Sequence, residues 1–78
     1  MSNWTEEHNA LKRSFKFQDF SEAFGFLTRV AIEAEKAQHH PEIHNVYNQV
    51  SISLSTHDAG NTVTDKDRNL AAAIDKLL

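Results

Sequence analysis

Two stretches of the chain alternate between hydrophobic and polar residues, as strands with one buried face do. Apolar side chains occupy one parity from Leu11 to Phe17, where only Arg13 breaks the pattern. From Val50 to Thr56 the alternation is complete, because apolar residues and a threonine share one face while serines share the other with His57. Each stretch therefore predicts a half-buried strand.

Each of these strands has a predicted hairpin partner immediately before it. Trp4 lies ahead of the polar stretch 6–9, which suits a turn, so a short first strand is expected around Trp4. Asn45 to Tyr47 can form a strand that pairs with the one from Val50, with Asn48 and Gln49 as the tight connection. The pattern thus predicts two β-hairpins.

A long helix is predicted between the hairpins. Asp19 and Glu22 have the spacing of a capping box, and Pro41 requires the helix to end near His39. Apolar residues recur at three- and four-residue steps and predict the core-facing stripe: Phe20, Ala23, Phe24, Leu27, Val30, Ala31 and Ala34.

A second helix is predicted at the end of the chain. Thr64 and Asp67 form another capping-box pair, and the stripe that follows is Leu70, Ala71, Ile74 and Leu77. The order strand, strand, helix, strand, strand, helix predicts a two-layer α+β fold (β-β-α-β-β-α) with a four-stranded antiparallel sheet and helices packed on one face. We expect residues 1–78 to form a single domain.

Composition restricts the function. The net charge of −3, without a cluster of Lys and Arg, argues against direct binding to nucleic acid. The absence of cysteine excludes disulfides and thiolate metal sites. No apolar run reaches the ~18 residues of a membrane span, so a cytoplasmic protein is expected. A core of this size is thin, which favours a homo-oligomer.

Five histidines in 78 residues are the one unusual feature of the composition. Imidazole exchanges protons near neutral pH, and His39 and His40 stand at the predicted helix exit while His57 ends the second long strand. If these positions converge, with Glu35 one turn back on the helix, they outline an acid/base site. On the pattern alone, dispersed surface histidines are an equally good interpretation.

A metal site is the other chemical interpretation, with His39, His40, His44 and His57 as nitrogen ligands. It is disfavoured, because Pro41 interrupts the helix that would place His40 and His44 on one face.

Several segments together form a recognisable signature: Glu35–Glu42, Asn45–Asn48 and Leu54–His57, accompanied by Phe15–Phe17 and Ala23–Ala31. These segments resemble the pterin-4a-carbinolamine dehydratase family. The resemblance covers nearly the whole chain. Ile43 and His44 depart from it, since they stand where the family usually has aromatic residues.

The resemblance implies an enzyme that removes water from 4a-hydroxytetrahydropterin, gives the quinonoid dihydropterin, and so recycles the pterin of aromatic amino-acid hydroxylases. It implies no metal and no organic cofactor. By the same resemblance, His39, His40 and His57 are the catalytic imidazoles, with His39 and His57 transferring protons and His40 mainly binding substrate. The implied substrate-binding residues are Glu35, Gln38, Ser55 and Thr56.

Two further expectations follow from the family. Its members form homodimers and homotetramers, and we expect the same of this chain. Some members serve as dimerisation cofactors of a transcription factor, so a non-catalytic interaction module is the alternative function; the three histidines beside a polar strand face favour the enzyme. Asp67 is expected to act as the capping acid of the last helix rather than as a site residue.

Overall fold

A computed structural model describes residues 3–78. Its strands are β1 (Thr5–Glu7), β2 (Ala10–Lys16), β3 (Glu42–Val46) and β4 (Gln49–Leu54). The helices are α1 (Phe20–Ala37) and α2 (Asp65–Asp75), and a short 3-10 turn spans His57–Ala59. The predicted α+β fold with its element order β-β-α-β-β-α is confirmed.

The four strands form one antiparallel sheet in the order β1-β2-β4-β3. The first hairpin turns at His8 and Asn9, which both adopt positive φ. The second turns at Tyr47 and Asn48, one residue earlier than predicted, because Val46 pairs with Gln49 and Tyr47 takes the left-handed conformation. Trp4 lies just before β1 and packs in the core rather than in the strand.

The core lies between the sheet and the helices. The inward face of β4 is buried as predicted, and Leu11 and Phe15 of β2 pack beside it. The outward face of β4 carries the serines, of which Ser51 is exposed and Ser53 is half-buried.

Helix α1 begins as predicted but faces the core differently. Asp19 accepts a hydrogen bond from the Glu22 amide at 2.9 Å, and Glu22 reaches back to the Gln18 amide. Phe20 and Phe24, expected in the core, are 48% and 53% exposed, whereas Phe26 is fully buried. The predicted stripe was wrong on this side because the helix turns the face that contains Phe26 and Val30 toward the aromatic side chains of β2. Among residues 3–78, no helix has the length and apolar character needed to cross a membrane.

Strand β4 ends at Leu54, two residues before the end of the predicted alternation at Thr56 and three before His57, which was predicted as the last residue of the strand. Thr56 is still buried on the predicted face, but it pairs with Thr62 in an isolated bridge and its carbonyl accepts the amides of Ala59 and Asn61. These bonds fold the chain around Thr56. His57 consequently lies in the 3-10 turn and not on the serine face of the strand.

Asp75 anchors the end of α2 to the beginning of the chain. Its Oδ1 accepts hydrogen bonds from Trp4 Nε1 at 2.9 Å and from Arg13 at 2.6 Å. Arg13 occupies an inward position of β2, lays its guanidinium over the Phe15 ring and is only 15% exposed. Arg13, which interrupts the apolar alternation, therefore packs the aliphatic part of its side chain and pairs its guanidinium with Asp75.

We expect Asp75→Ala to lower the free energy of unfolding by about 1.5–3 kcal/mol, the usual contribution of hydrogen bonds to a charged group. The cause is the largely buried Arg13 side chain, whose guanidinium loses its carboxylate partner. Urea unfolding with an unchanged m-value would measure it. Asp58→Ala, which removes an exposed carboxylate from the 3-10 turn, is the control; an equally small effect at both positions would contradict the prediction.

Candidate active site

The end of helix α1 determines where the histidine pair lies. Gln38 adopts a left-handed conformation with φ 52° and turns the chain out of the helix. The His39 amide then bonds back to the Ala34 carbonyl at 3.1 Å, and the Gln38 side chain caps the Glu35 carbonyl at 2.7 Å. Both bonds fix the backbone immediately before His40 and Pro41.

His39 points toward the start of helix α2, where its Nε2 is hydrogen-bonded to Asp67 Oδ1. The Asp67 side chain is fully buried and the His39 side chain is only 11% exposed. The second carboxylate oxygen accepts Thr56 Oγ1 at 2.8 Å and the Thr64 amide at 2.9 Å. One carboxylate therefore joins the exit of α1, the end of β4 and the start of α2.

Asp67 is held in its ionised form by these donors. Burial raises the pKa of its carboxyl group, but the hydrogen bonds from His39, the Thr64 amide and Thr56 together outweigh burial and leave the pKa below the usual value of an aspartate. A carboxylate that is ionised can only accept hydrogen bonds. His39 therefore carries a proton on Nε2, and Nδ1 is the nitrogen left for other chemistry.

His40 lies on the solvent side of the same helix exit. Its Nε2 is 2.7 Å from Glu35 Oε1, and both side chains are largely exposed. Glu35, which lies one helical turn before the two histidines, thus contacts His40 and not His39. The Glu35 carboxylate orients the second imidazole as Asp67 orients the first.

His57 follows Thr56 at the first position of the 3-10 turn and is exposed. Its Nδ1 is 2.7 Å from Asn61 Oδ1. The loop between them is closed by the bonds of Thr56 to Thr62, whose amide and carbonyl both pair with the Thr56 backbone. Thr56 thereby connects the His57 loop to the Asp67 network through its own side chain.

The predicted site residues fall at one end of the molecule in two groups. Glu35, Gln38, His39 and His40 cluster at the exit of α1. Thr56 and His57 begin the loop after β4, and the hydrogen bonds of Asp67 link this loop to His39. Ser55 is half-buried between β4 and Thr56. Both the amide and the carbonyl of Thr56 are engaged in the loop.

Two shallow depressions flank the Asp67 network. One has a volume of about 340 Å³ and is lined by His39, Lys36 and Lys66. The other has a volume of about 440 Å³ and is lined by Thr56 and Thr64. A larger depression, about 610 Å³, covers the open face of the sheet around Ser51 and includes none of the three predicted catalytic histidines. The acid/base groups, and not the volume of a depression, define the candidate site.

Within residues 3–78, no group of three or more His, Asp or Glu side chains is arranged to hold a metal ion. His39 and His40 instead bond to different carboxylates. His44 lies on β3 opposite Ser51, and His8 in the first hairpin turn.

Two members of the network were not predicted as site residues. Asp67 is the expected capping acid of α2, yet it also contacts His39, so the cap and the site share one carboxylate. Asn61 was recognised only as part of a turn. Spacing within the chain reveals a local cap, whereas a contact between residues 28 positions apart requires the tertiary fold.

Comparison with known proteins gives the family. The family model "Pterin 4 alpha carbinolamine dehydratase" matches residues 1–77. A protein of Paraburkholderia xenovorans that is provisionally named pterin-4-alpha-carbinolamine dehydratase is 59% identical over 69 residues, which cover 88% of this chain and 71% of that protein. The chain belongs to the pterin-4a-carbinolamine dehydratase family, whose named activity is that of a hydro-lyase.

Two solved structures are similar to the fold. A transcriptional coactivator/pterin dehydratase from Brucella melitensis is 44% identical, with a TM-score of 0.90 over 96% of this chain and 81% of that one. A pterin dehydratase-like protein described as a RuBisCO assembly factor in the α-carboxysome is 25% identical, with a TM-score of 0.76 over 95% of this chain and 84% of that one.

Proposed function

We propose that this protein dehydrates 4a-hydroxytetrahydropterin to the quinonoid dihydropterin by histidine acid/base catalysis, and so recycles the pterin of aromatic amino-acid hydroxylases. The observation that carries the proposal is the oriented pair of His39 and the buried, ionised Asp67. A buried carboxylate that fixes one imidazole nitrogen and leaves the other for substrate is a recurrent arrangement in acid/base sites. Family membership supplies the substrate class.

The reaction needs two proton transfers. The C4a–O bond breaks as a proton reaches the departing hydroxyl, which leaves as water, and a ring nitrogen loses its proton. Two imidazoles, one protonated and one neutral, can perform both steps. His39 would act through Nδ1, because Nε2 is bonded to Asp67, and His57 through Nε2, because Nδ1 is bonded to Asn61.

The other predicted residues have supporting roles in this proposal. His40, oriented by Glu35, binds the substrate at the solvent side of the helix exit. Gln38 caps the Glu35 carbonyl and thereby sets the backbone before the histidine pair, while Ser55 lies beside the loop. Thr56 acts mainly by holding Asp67 and the His57 loop, since its amide and carbonyl are already bonded. The steps use only side chains of this chain, with no metal or organic cofactor.

We also propose a homodimer or homotetramer in the cytoplasm. Phe20 and Phe24 pack against each other on the open side of α1, and Ile32 is exposed along the same helix. Large apolar side chains grouped in this way often mark protein interfaces. The edge strand β3 is also open and adds Val46 to the exposed apolar surface.

A non-catalytic interaction module is the second candidate. The same exposed apolar surface favours it, and one structural neighbour is described as a RuBisCO assembly factor. An adaptor, however, has no need for three imidazoles that are each oriented by an oxygen acceptor. The enzyme therefore accounts for more of the structure.

The deciding experiment is stopped-flow absorbance of 4a-hydroxytetrahydropterin generated by a hydroxylase. We expect the wild-type protein to accelerate its decay in proportion to protein concentration, above the spontaneous rate. Folding is checked by circular dichroism and the oligomer by light scattering. A folded wild-type protein that leaves the decay at the spontaneous rate would rule out the dehydratase and favour the interaction module.

A further inference from the structure

Each histidine of the candidate site has one ring nitrogen hydrogen-bonded to a side-chain oxygen, and the three oxygens differ in kind. His39 bonds to the buried carboxylate of Asp67, His40 bonds to the exposed carboxylate of Glu35, and His57 bonds to the amide oxygen of Asn61. The third pair therefore has no carboxylate in it. We propose that Asn61 is a positioning residue, which holds His57 as its Nδ1–H tautomer and so leaves Nε2 as the proton-exchanging nitrogen; the catalytic part of this inference rests on the proposed function.

The orientation of the Asn61 amide determines the direction of the bond. The structure places Oδ1 at 2.7 Å from Nδ1 of His57, and because an amide oxygen accepts and cannot donate, Nδ1 is then the donor. A neutral imidazole carries only one ring proton, and its other nitrogen then has a lone pair. Nε2 of His57 is consequently able to accept a proton, and in the imidazolium form to return it.

The backbone explains why asparagine suits this position. Residue 61 has φ 58° and follows Gly60, which has φ 85°, so two left-handed residues succeed each other. Among residues with side chains, asparagine is one of the few that enter this region readily. The Asn61 amide also bonds to the Thr56 carbonyl at 3.1 Å. This bond and the turn place the side-chain oxygen back over His57.

Residue 61 contributes a left-handed backbone conformation and a hydrogen-bond acceptor, and substitutions can separate the two. Asn61→Gly keeps the conformation and removes the acceptor. Asn61→Asp keeps an oxygen acceptor at the same reach. Asn9→Gly makes the same replacement at another exposed left-handed asparagine, φ 62°, in the remote turn between β1 and β2. It therefore controls for a general effect of glycine in a turn.

The tautomer is read from the imidazole ¹⁵N chemical shifts, in long-range ¹H–¹⁵N spectra at about pH 8.5, well above the usual histidine titration. We expect the Nδ1–H pattern for His57 in the wild type, Asn9→Gly and Asn61→Asp, and a large Nε2–H population in Asn61→Gly. We expect kcat of Asn61→Gly to fall on the order of ten-fold, at the low end for residues that orient an imidazole, with little change in KM.

An Nε2–H pattern for His57 in the wild type, or an unchanged pattern in Asn61→Gly, would overturn the proposal. So would an equal loss of kcat in Asn9→Gly and Asn61→Gly. Because the ¹⁵N spectra need no turnover, they test the positioning separately from the reaction. A wild-type protein with the Nδ1–H pattern and no dehydratase activity would refute the proposed function and leave the tautomer assignment standing.

Discussion

His39→Gln is expected to reduce the dehydratase rate by about 10²–10⁴-fold, the usual contribution of a positioned acid/base group. Glutamine can still donate a hydrogen bond to the buried Asp67, so the carboxylate keeps a partner, but an amide does not exchange protons near neutral pH. The loss should therefore appear in kcat, measured by single-turnover decay of the 4a-hydroxytetrahydropterin.

The matched control is His44→Gln on β3, where the imidazole lies opposite Ser51 on the open sheet face. It should retain nearly full activity. The unfolding midpoint in urea should change little in either variant. Comparable activity of the two variants would exclude His39 as a proton-transfer residue.

The fold could be predicted because its signals are local. The alternation from Val50 to Leu54 and the caps at Asp19 and Thr64 each belong to one element, and the structure contains a strand or a helix start at each. Alternation and caps report which face is buried and where a helix begins. The family prediction, made from the signature-like segments, was also confirmed.

The errors concern which way an element faces its neighbours. Apolar periodicity cannot tell an interior stripe from an exposed one on a helix that is apolar on two sides, so Phe24 was assigned to the core and Phe26 was missed. In the same way, the hydrogen bonds from loop amides to the Thr56 carbonyl determine where β4 ends. The residue types within the strand do not indicate these bonds.

Of the two carboxylates that bond to His39 and His40, only Glu35 was indicated by its spacing in the sequence. Glu35 lies one helical turn before His39 and His40, so its contact with His40 is a short-range feature. Asp67 meets His39 only because α2 packs against the exit of α1.

Asp67→Asn is expected to have the largest effect on stability. The carboxylate accepts hydrogen bonds from His39, Thr56 and the Thr64 amide. An amide group must place its NH₂ where one of these donors already points, which leaves buried donors unsatisfied. We expect a loss of about 2–5 kcal/mol, because each buried donor left without a partner costs roughly 1–3 kcal/mol. A domain of this size has roughly 4–12 kcal/mol in total.

The loss should depend on pH in a defined direction. Because the pKa of Asp67 is lowered in the folded protein, its contribution is fully present above the pKa of the unfolded chain, about 4, and disappears as the pH falls through the folded value. The free-energy difference between wild type and Asp67→Asn, from urea unfolding, should be constant near neutral pH and shrink below about pH 4.

Asp65→Asn is the control for that pH dependence, since it removes a carboxylate from the same first turn of α2 where the side chain is 93% exposed. It should change stability by about 0.5 kcal/mol or less. A difference between wild type and Asp67→Asn that stays constant down to pH 2–3, or one no larger than that of Asp65→Asn, would show that the buried carboxylate does not join the two helices and β4 energetically. If the expected difference is found, the capping box of α2 and the orientation of His39 depend on the same ionised group, so the site and the second helix should be lost together in acid.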